Sequence, residues 1–294
     1  MISKQLLHNW YQSANQISGG RLNIFKHAVK TFSVTNAPQA AAALAYYAIF
    51  SLFPLLLVGI AGGSYFISTQ QIYLNVIQLV HRFIPVSTQL INVNLHEVLE
   101  TRGAVGILSL VTLLWSASGV FTNLAYNINL AWPKASRRNF LENRLVGLGM
   151  IGGMSILLIL SVALDWIIKL TPFLNDWIAS SSTEKLWRLI SDLGTWLMIF
   201  FLFLALYRWI PTSRVRWNAT IWGALTASLG WKAATAGFAW YLQSGLGRYQ
   251  VVYGSLGAIV ALLFLIFVVA IITLFGAHLS AAIDLWEKNK NTDL

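Results

Sequence analysis

The stretch GSLGAIVALLFLIFVVAIITLFGAHL, Gly254 to Leu279, contains no Lys, Arg, Asp or Glu. It is longer than the roughly 20 residues that an α-helix needs to cross the hydrocarbon of a bilayer. A second block, Ala40 to Tyr65, has the same character. Neither alternates polar and apolar residues as the roughly ten-residue strands of a membrane barrel would. The expected fold class is therefore all-α, a polytopic membrane helix bundle. Composition agrees, because 57% of the 294 residues are hydrophobic and only 10% are charged, whereas a soluble domain carries roughly 25% charged residues. So few charges could not cover a water-exposed surface of this size.

Working outward from those blocks, six spans are expected: Gln39 to Tyr65, Ala104 to Leu130, Leu145 to Leu170, Leu193 to Ile210, Asn218 to Leu242 and Tyr253 to Ile283. Lys and Arg partition unevenly between them. Thirteen fall on one side, in the N-terminal segment, the second and fourth connections and the tail; five fall on the other, and Lys169 and Lys232 lie within spans. Positive charge is retained in the cytoplasm, so both termini are expected there. This distribution also explains the formal net charge of +10 without a nucleic-acid partner, which would call for clustered Lys and Arg.

The implied organisation is a cytoplasmic segment over residues 1–38, a membrane domain over 39–283 and a short cytoplasmic tail over 284–294. Residues 1–37 lack the apolar core of a cleavable signal peptide, so the first span should be an uncleaved anchor. Within the first segment Leu22, Phe25, Val29 and Phe32 recur at helical spacing among Arg21, Lys26, His27 and Lys30. That pattern suits a basic amphipathic helix on an anionic leaflet, or equally a solvated helix packed on cytoplasmic loops. Between the first two spans, Ile72, Val76, Val80 and Phe83 form one stripe, Pro85 breaks it, and Leu90, Val93 and Val98 begin another. Residues 71–102 are read as an external helical hairpin.

Small residues four apart let membrane helices approach closely. They occur as Gly59 with Gly63, Gly149 with Gly153, Gly223 with Ala227, Ala233 with Gly237 and Gly254 with Ala258. Polar residues within spans are costly and are the first candidates for function. Ser116, Gly119, Asn123 and Asn127 share one helical face, where amides could fasten helices or line a polar pathway. Asp165 and Lys169 stand four apart near the outer end of the third span. Lys232, in the outer half of the fifth, should find Asp165 or Asp192 at comparable depth, either as a static pair or as a site for an anionic headgroup. Asn123, Asn127, Asp165 and Lys232 are the substrate-pathway candidates. Pro54 kinks the first span by freeing the Phe50 carbonyl, which Ser51 could partly satisfy.

Chemistry of other kinds finds little support. There is no cysteine, and His8, His27, His81, His96 and His278 form no pair at metal-ligand spacing. His278 reads as a hydrogen-bonded packing residue. No Gly-rich phosphate loop is present, so neither cofactor nor metal is implied. Trp209, Trp217 and Trp286 flank expected cytoplasmic boundaries, as an interfacial aromatic belt does.

Four segments together resemble the YihY/BrkB family of bacterial inner-membrane proteins, once labelled ribonuclease BN. They are AAALAYYAIFSLFPLLLV ending at Val58, LWSASGVFTNLAYNINLAW from Leu114 to Trp132, LYRWIPTSRVRW from Leu206 to Trp217, and Tyr253 to Ala282 with YGSLGA at its start and GAHLSAA near its end. They stand in family order across nearly the whole chain. The resemblance implies a six-span inner-membrane protein and supplies no catalytic residues to carry over. A metal-dependent nuclease needs clustered His and Asp to hold its ions, and the ten acidic residues lie mainly in different loops. The expected function is transport-related or envelope maintenance, acting on a lipid-like or amphipathic substrate without chemical turnover. The alternative is a membrane scaffold whose polar residues only hold helices together, and the remotest reading is a membrane-bound ribonuclease. Membrane lipids and envelope proteins are the expected partners.

Overall fold

A computed structural model describes residues 21–63, 102–136, 138–153, 181–243 and 257–292, and there it is all helical. Seven helices are described: α1 Arg21–Val34, α2 Ala37–Gly63, α3 Arg102–Leu130, α4 140–153, α5 Ser181–Trp209, α6 Trp217–Gln243 and α7 Gly257–Thr292. The external hairpin expected at 71–102 lies outside the described residues, apart from Arg102.

α1 and α2 are separated by a sharp break at Asn36, whose φ is 54°. Asn tolerates the left-handed conformation that closes a helix, and the Asn36 amide donates to the Ser33 carbonyl at 3.1 Å. Pro38 then falls in the first turn of α2, where a missing N–H costs no hydrogen bond. Farther along α2, the Ser51 hydroxyl donates to the Ala48 carbonyl at 2.7 Å. It is therefore committed to Ala48 and does not serve the Phe50 carbonyl that Pro54 frees.

α7 is the hub of the bundle, touching α1, α2, α3, α5 and α6, while α3 packs chiefly on α2 and α5 on α6. Its tightest neighbour is α6. A Cβ on Gly223 would lie 2.7 Å from Ser280 Cβ and 2.8 Å from the Gly276 carbonyl oxygen, and a Cβ on Gly276 would lie 2.9 Å from Ala227 Cβ. The small pair Gly223 and Ala227 thus meets a second pair with the same spacing, Gly276 and Ser280. Gly149, Gly153 and Gly237 meet nothing within 4 Å, so their spacing does not mark a crossing among the described residues.

The distribution of size is inverted relative to a water-soluble protein. Among the described residues, fourteen of the 22 buried apolar ones are alanine, whereas Phe50, Ile107, Leu108, Trp115, Leu145, Phe201, Trp240 and Phe264 are exposed. Helices that pack through small residues and turn large apolar ones outward are suited to lipid as solvent. Among the described residues, Ile259–Lys290 is by itself long and apolar enough to cross a bilayer, and Leu193–Trp209 is a shorter apolar helix. Helix length and composition therefore establish fewer crossings than the six expected. α6 shows one reason, since Asn218, Thr220, Thr226, Ser228, Lys232 and Thr235 dilute its apolar run.

α1 does more than rest on loops. Ala28 is fully buried, Phe25 and Phe32 meet Phe275 of α7 edge-on at 5.9 and 5.8 Å, and Phe32 meets the His278 ring at 5.7 Å. His278 is buried, with Nε2 3.1 Å from Thr35 Oγ1 and Nδ1 3.3 Å from Thr31 Oγ1. This is the packing role expected for that histidine. Leu22, Phe25 and Val29 remain exposed beside Lys26 and Lys30.

Candidate functional site

Two polar regions stand out. One lies where the α5–α6 connection meets the end of α7. Asp284, fully buried, accepts the Arg216 amide at 3.1 Å and the Lys288 ammonium. A carboxylate there satisfies a free N–H at the start of α6 and opposes the positive end of its dipole. Lys288 also donates to the Arg214 carbonyl at 3.2 Å, and the Asn218 amide donates to Glu287. Arg208 stacks over Trp217 at 5.0 Å and Lys290 over Trp286 at 5.5 Å. Trp209, Trp217 and Trp286 are all exposed at this end, as an interfacial belt requires. These bonds make this region a clasp, with a cavity of about 730 Å³ beside it that Asn218, Trp286 and Glu287 help to line.

In the second region the polar side chains line the open space themselves. A cavity of about 740 Å³ lies between α2, α3 and α4, within the range of roughly 300–1,000 Å³ usual for small-molecule sites. α3 contributes Gly119, Asn123 and Asn127, three positions four apart on one face, with Trp115, Thr122 and Tyr126 beside them. α2 closes one wall with Ala40 and Tyr47, and α4 supplies Asn143 and Arg144. The Asn127 amide donates to Asn123 Oδ1 at 2.6 Å and to the Asn123 carbonyl at 2.9 Å. The two amides thus bind each other along one helix, and among the described residues they do not bridge to a second one.

Arg144 reaches this cavity because of Gly147. A Cβ at Gly147 would lie 2.7 Å from Thr122 Oγ1 and 3.0 Å from the Ser118 carbonyl oxygen, so only glycine lets α4 approach α3 so closely. Three residues earlier, on the same face, the Arg144 guanidinium donates to the Trp115 carbonyl at 3.1 Å and stacks on the Trp115 ring at 4.2 Å. One guanidinium edge is thereby fixed while the group lines the cavity. Charge count alone marked Arg144 as a topological residue; its role here follows from the helix pairing, for which the glycine was the available signal.

Of the four pathway candidates, Asn123 and Asn127 are brought together at the cavity. Lys232 is exposed on α6 and lines none of the described cavities. Asp165 lies outside the described residues, as do the side chains of Asp192, Ser116 and Pro54.

Comparison with known proteins then decides the lineage, for the family model of virulence factor BrkB matches residues 28–293. The chain belongs to the BrkB family. The ribonuclease-like protein YfkH of Bacillus subtilis is 24% identical over 266 residues, 88% of this chain and 94% of that protein. The UPF0761 membrane protein PSHAa0171 of Pseudoalteromonas translucida is 29% identical over 251 residues, 82% of this chain and 79% of its own length. A UPF0761 membrane protein of Vibrio atlanticus is 26% identical over 242 residues, 82% of this chain and 75% of that relative. No solved structure matches. BrkB membership, membrane-protein relatives in bacteria and an outward-facing apolar surface together make this chain a bacterial membrane protein.

Proposed function

We propose that this BrkB-family protein moves or holds a lipid-like amphipathic substrate in the envelope, without chemical turnover, and that the α2–α3–α4 cavity receives it. The observation that carries the reading is the cavity itself. Asn123, Asn127, Asn143 and Arg144 supply amides and a cation, and Tyr47, Trp115 and Tyr126 supply aromatic surface. A polar head and an apolar body would both find complementary walls there. A scaffold whose amides were only fasteners would be expected to bond them between helices, and the Asn123–Asn127 pair lies within α3.

In this proposal the chain crosses the bacterial inner membrane six times with both termini cytoplasmic, as the thirteen-to-five partition of Lys and Arg implies. Residues 1–38 and 284–294 then face the cytoplasm, and 71–102 faces outward. Lys232 and Asp165 belong to the outer half of the bundle as an ion pair. The ribonuclease reading has less support. A metal-dependent nuclease requires converging ligands, and among the described residues no three His, Asp or Glu side chains converge.

The test is purification in native lipid followed by identification of bound lipid, for the native chain and for Asn123→Leu/Asn127→Leu. Leucine is well tolerated in hydrocarbon, so the double variant should insert and fold while losing most of the co-purifying lipid. Equal lipid content in the two proteins would remove the cavity from the function.

A further inference from the structure

The turn that follows α3 buries two hydrogen-bond donors that no group among the described residues satisfies. Trp132 is 4% exposed and its indole Nε1 has no partner; Arg138 Nη1 is buried and likewise has none. Both residues line the same small cavity, about 210 Å³, together with Tyr126, Asn129, Pro133 and Asn143. Buried donors are almost always satisfied, and on Arg138, a half-buried side chain, it is one guanidinium nitrogen that is enclosed without an acceptor. Two such donors on one cavity call for an acceptor that carries negative charge and more than one oxygen.

The backbone around these donors is firmly held. The Asn129 amide donates to the Ser136 carbonyl at 3.0 Å, and its Oδ1 accepts the Thr212 amide at 2.9 Å and the Thr212 hydroxyl at 3.2 Å. The Trp132 amide donates to the Asn129 carbonyl at 3.2 Å, and the Ala135 amide donates to the Trp132 carbonyl at 3.0 Å. This loop is thus pinned to the α5–α6 connection, and both donor-bearing residues line the cavity. Burial lowers the Arg138 pKa from its ordinary value, with the Glu142 carboxylate offsetting part of that. Glu142 itself is exposed, does not line the cavity, and accepts the Asn139 amide at 3.0 Å.

We propose that Trp132 and Arg138 form a seat for a phosphate-type oxyanion, supplied either by a phospholipid headgroup or by free phosphate. Tyr126 and Asn143 line this cavity and also the larger one that holds Asn123 and Asn127. A phosphate seated between Trp132 and Arg138 therefore adjoins the space assigned to the amphipathic body. For the lipid source, this inference rests on the function proposed above and specifies the headgroup end of the same substrate. Indole N–H and guanidinium are both donors only, so the seat selects an acceptor-rich anion and rejects an ammonium.

The full chain, delipidated in a phosphate-free maltoside detergent, would be titrated calorimetrically with inorganic phosphate, with soluble dihexanoyl phosphatidic acid and with the uncharged dihexanoylglycerol. Both phosphate-bearing probes should bind and the uncharged one should not. Trp132→Phe and Arg138→Gln should each weaken binding at least about tenfold, the scale of one lost charge-assisted hydrogen bond. Arg138→Gln, in a loop, supplies the readout where Trp132→Phe fails to fold. If phosphate binds and depends on both donors while phosphatidic acid does not bind, the seat stands for a free anion and the lipid function fails. If phosphatidic acid binds through Asn123 and Asn127 but ignores Trp132 and Arg138, the lipid function stands and the seat fails. Binding of neither probe to the native chain would show that the donors are met by water only and would overturn the inference.

Discussion

The α6–α7 crossing and the α2–α3–α4 cleft are built from the same kinds of helix and end oppositely. At the crossing, Gly223, Ala227, Gly276 and Ser280 interlock so closely that an added Cβ at either glycine falls within 3 Å of a neighbour. The Tyr207 hydroxyl donates to the Thr273 carbonyl at 2.7 Å within the same closed layer. In the cleft, Gly119 has nothing within 4 Å, and Asn123 and Asn127 face about 740 Å³ of space. Small residues close a membrane helix pair only when the partner presents small residues at the same height. Around the space at Gly119 the lining includes the long side chains of Tyr47 and Arg144, not a second small pair.

This contrast is most severely tested by adding bulk. Gly223→Leu would push a side chain into the Gly276 backbone, which cannot yield as a flexible side-chain tip can. Overpacking of this kind costs typically 1–3 kcal/mol and more when backbone is struck, so thermal unfolding in detergent should fall sharply or the variant should fail to accumulate. Gly119→Leu should be tolerated, because its Cβ meets open space. Similar melting temperatures for the two variants would erase the distinction between a closed layer and an open one.

The next effect concerns polar groups within the closed half. Asp284→Ala removes the acceptor for the Arg216 amide and the Lys288 ammonium together. Loss of a helix cap costs about 1 kcal/mol, up to about 2. Asp284→Asn, which keeps one acceptor oxygen, should recover part of the loss. Unchanged unfolding in Asp284→Ala would mean that the clasp contributes nothing to stability. Tyr207→Phe should cost somewhat less, about 1 kcal/mol for the bond to Thr273, read in the same unfolding assay.

How much of this was legible in the sequence depends on whether a feature is carried by one helix or by two. The helices themselves, the common face of Gly119, Asn123 and Asn127, the packing role of His278 and the small pair at Gly223 and Ala227 follow from spacing along a single element. The partner of that pair, Gly276 with Ser280, the approach permitted by Gly147, and the convergence of Arg144 on Trp115 depend on which helices are neighbours. Periodicity does not encode that. Asp284 was hidden by its position one residue beyond the expected sixth span, where it reads as an ordinary tail carboxylate. Trp132 and Arg138 lie in a basic connection whose charges were fully explained by topology, so their burial had no sequence signal. The Ser51 hydroxyl illustrates the reverse case, a local guess about the Phe50 carbonyl overtaken by a nearer acceptor, the Ala48 carbonyl.

The smallest expected effect belongs to Lys232, which lies on neither the closed layer nor the cleft. A buried ion pair losing one member costs on the order of 3–5 kcal/mol because the other charge is stranded. Lys232 is exposed on α6, however, and a long Lys side chain at such a position can carry its ammonium toward the interface. The proposed pair with Asp165 should therefore behave as an exposed one, worth about 1 kcal/mol or less. Lys232→Met and Asp165→Asn should each lower the unfolding temperature slightly, and the double variant should lose less than the two single losses added together. The double-mutant cycle measures that coupling directly. Strict additivity would show that the two charges do not meet, and a coupling of several kcal/mol would place Lys232 in a buried site. Lipid binding in the cleft should be the same in all four proteins, because Lys232 lines no part of that cavity.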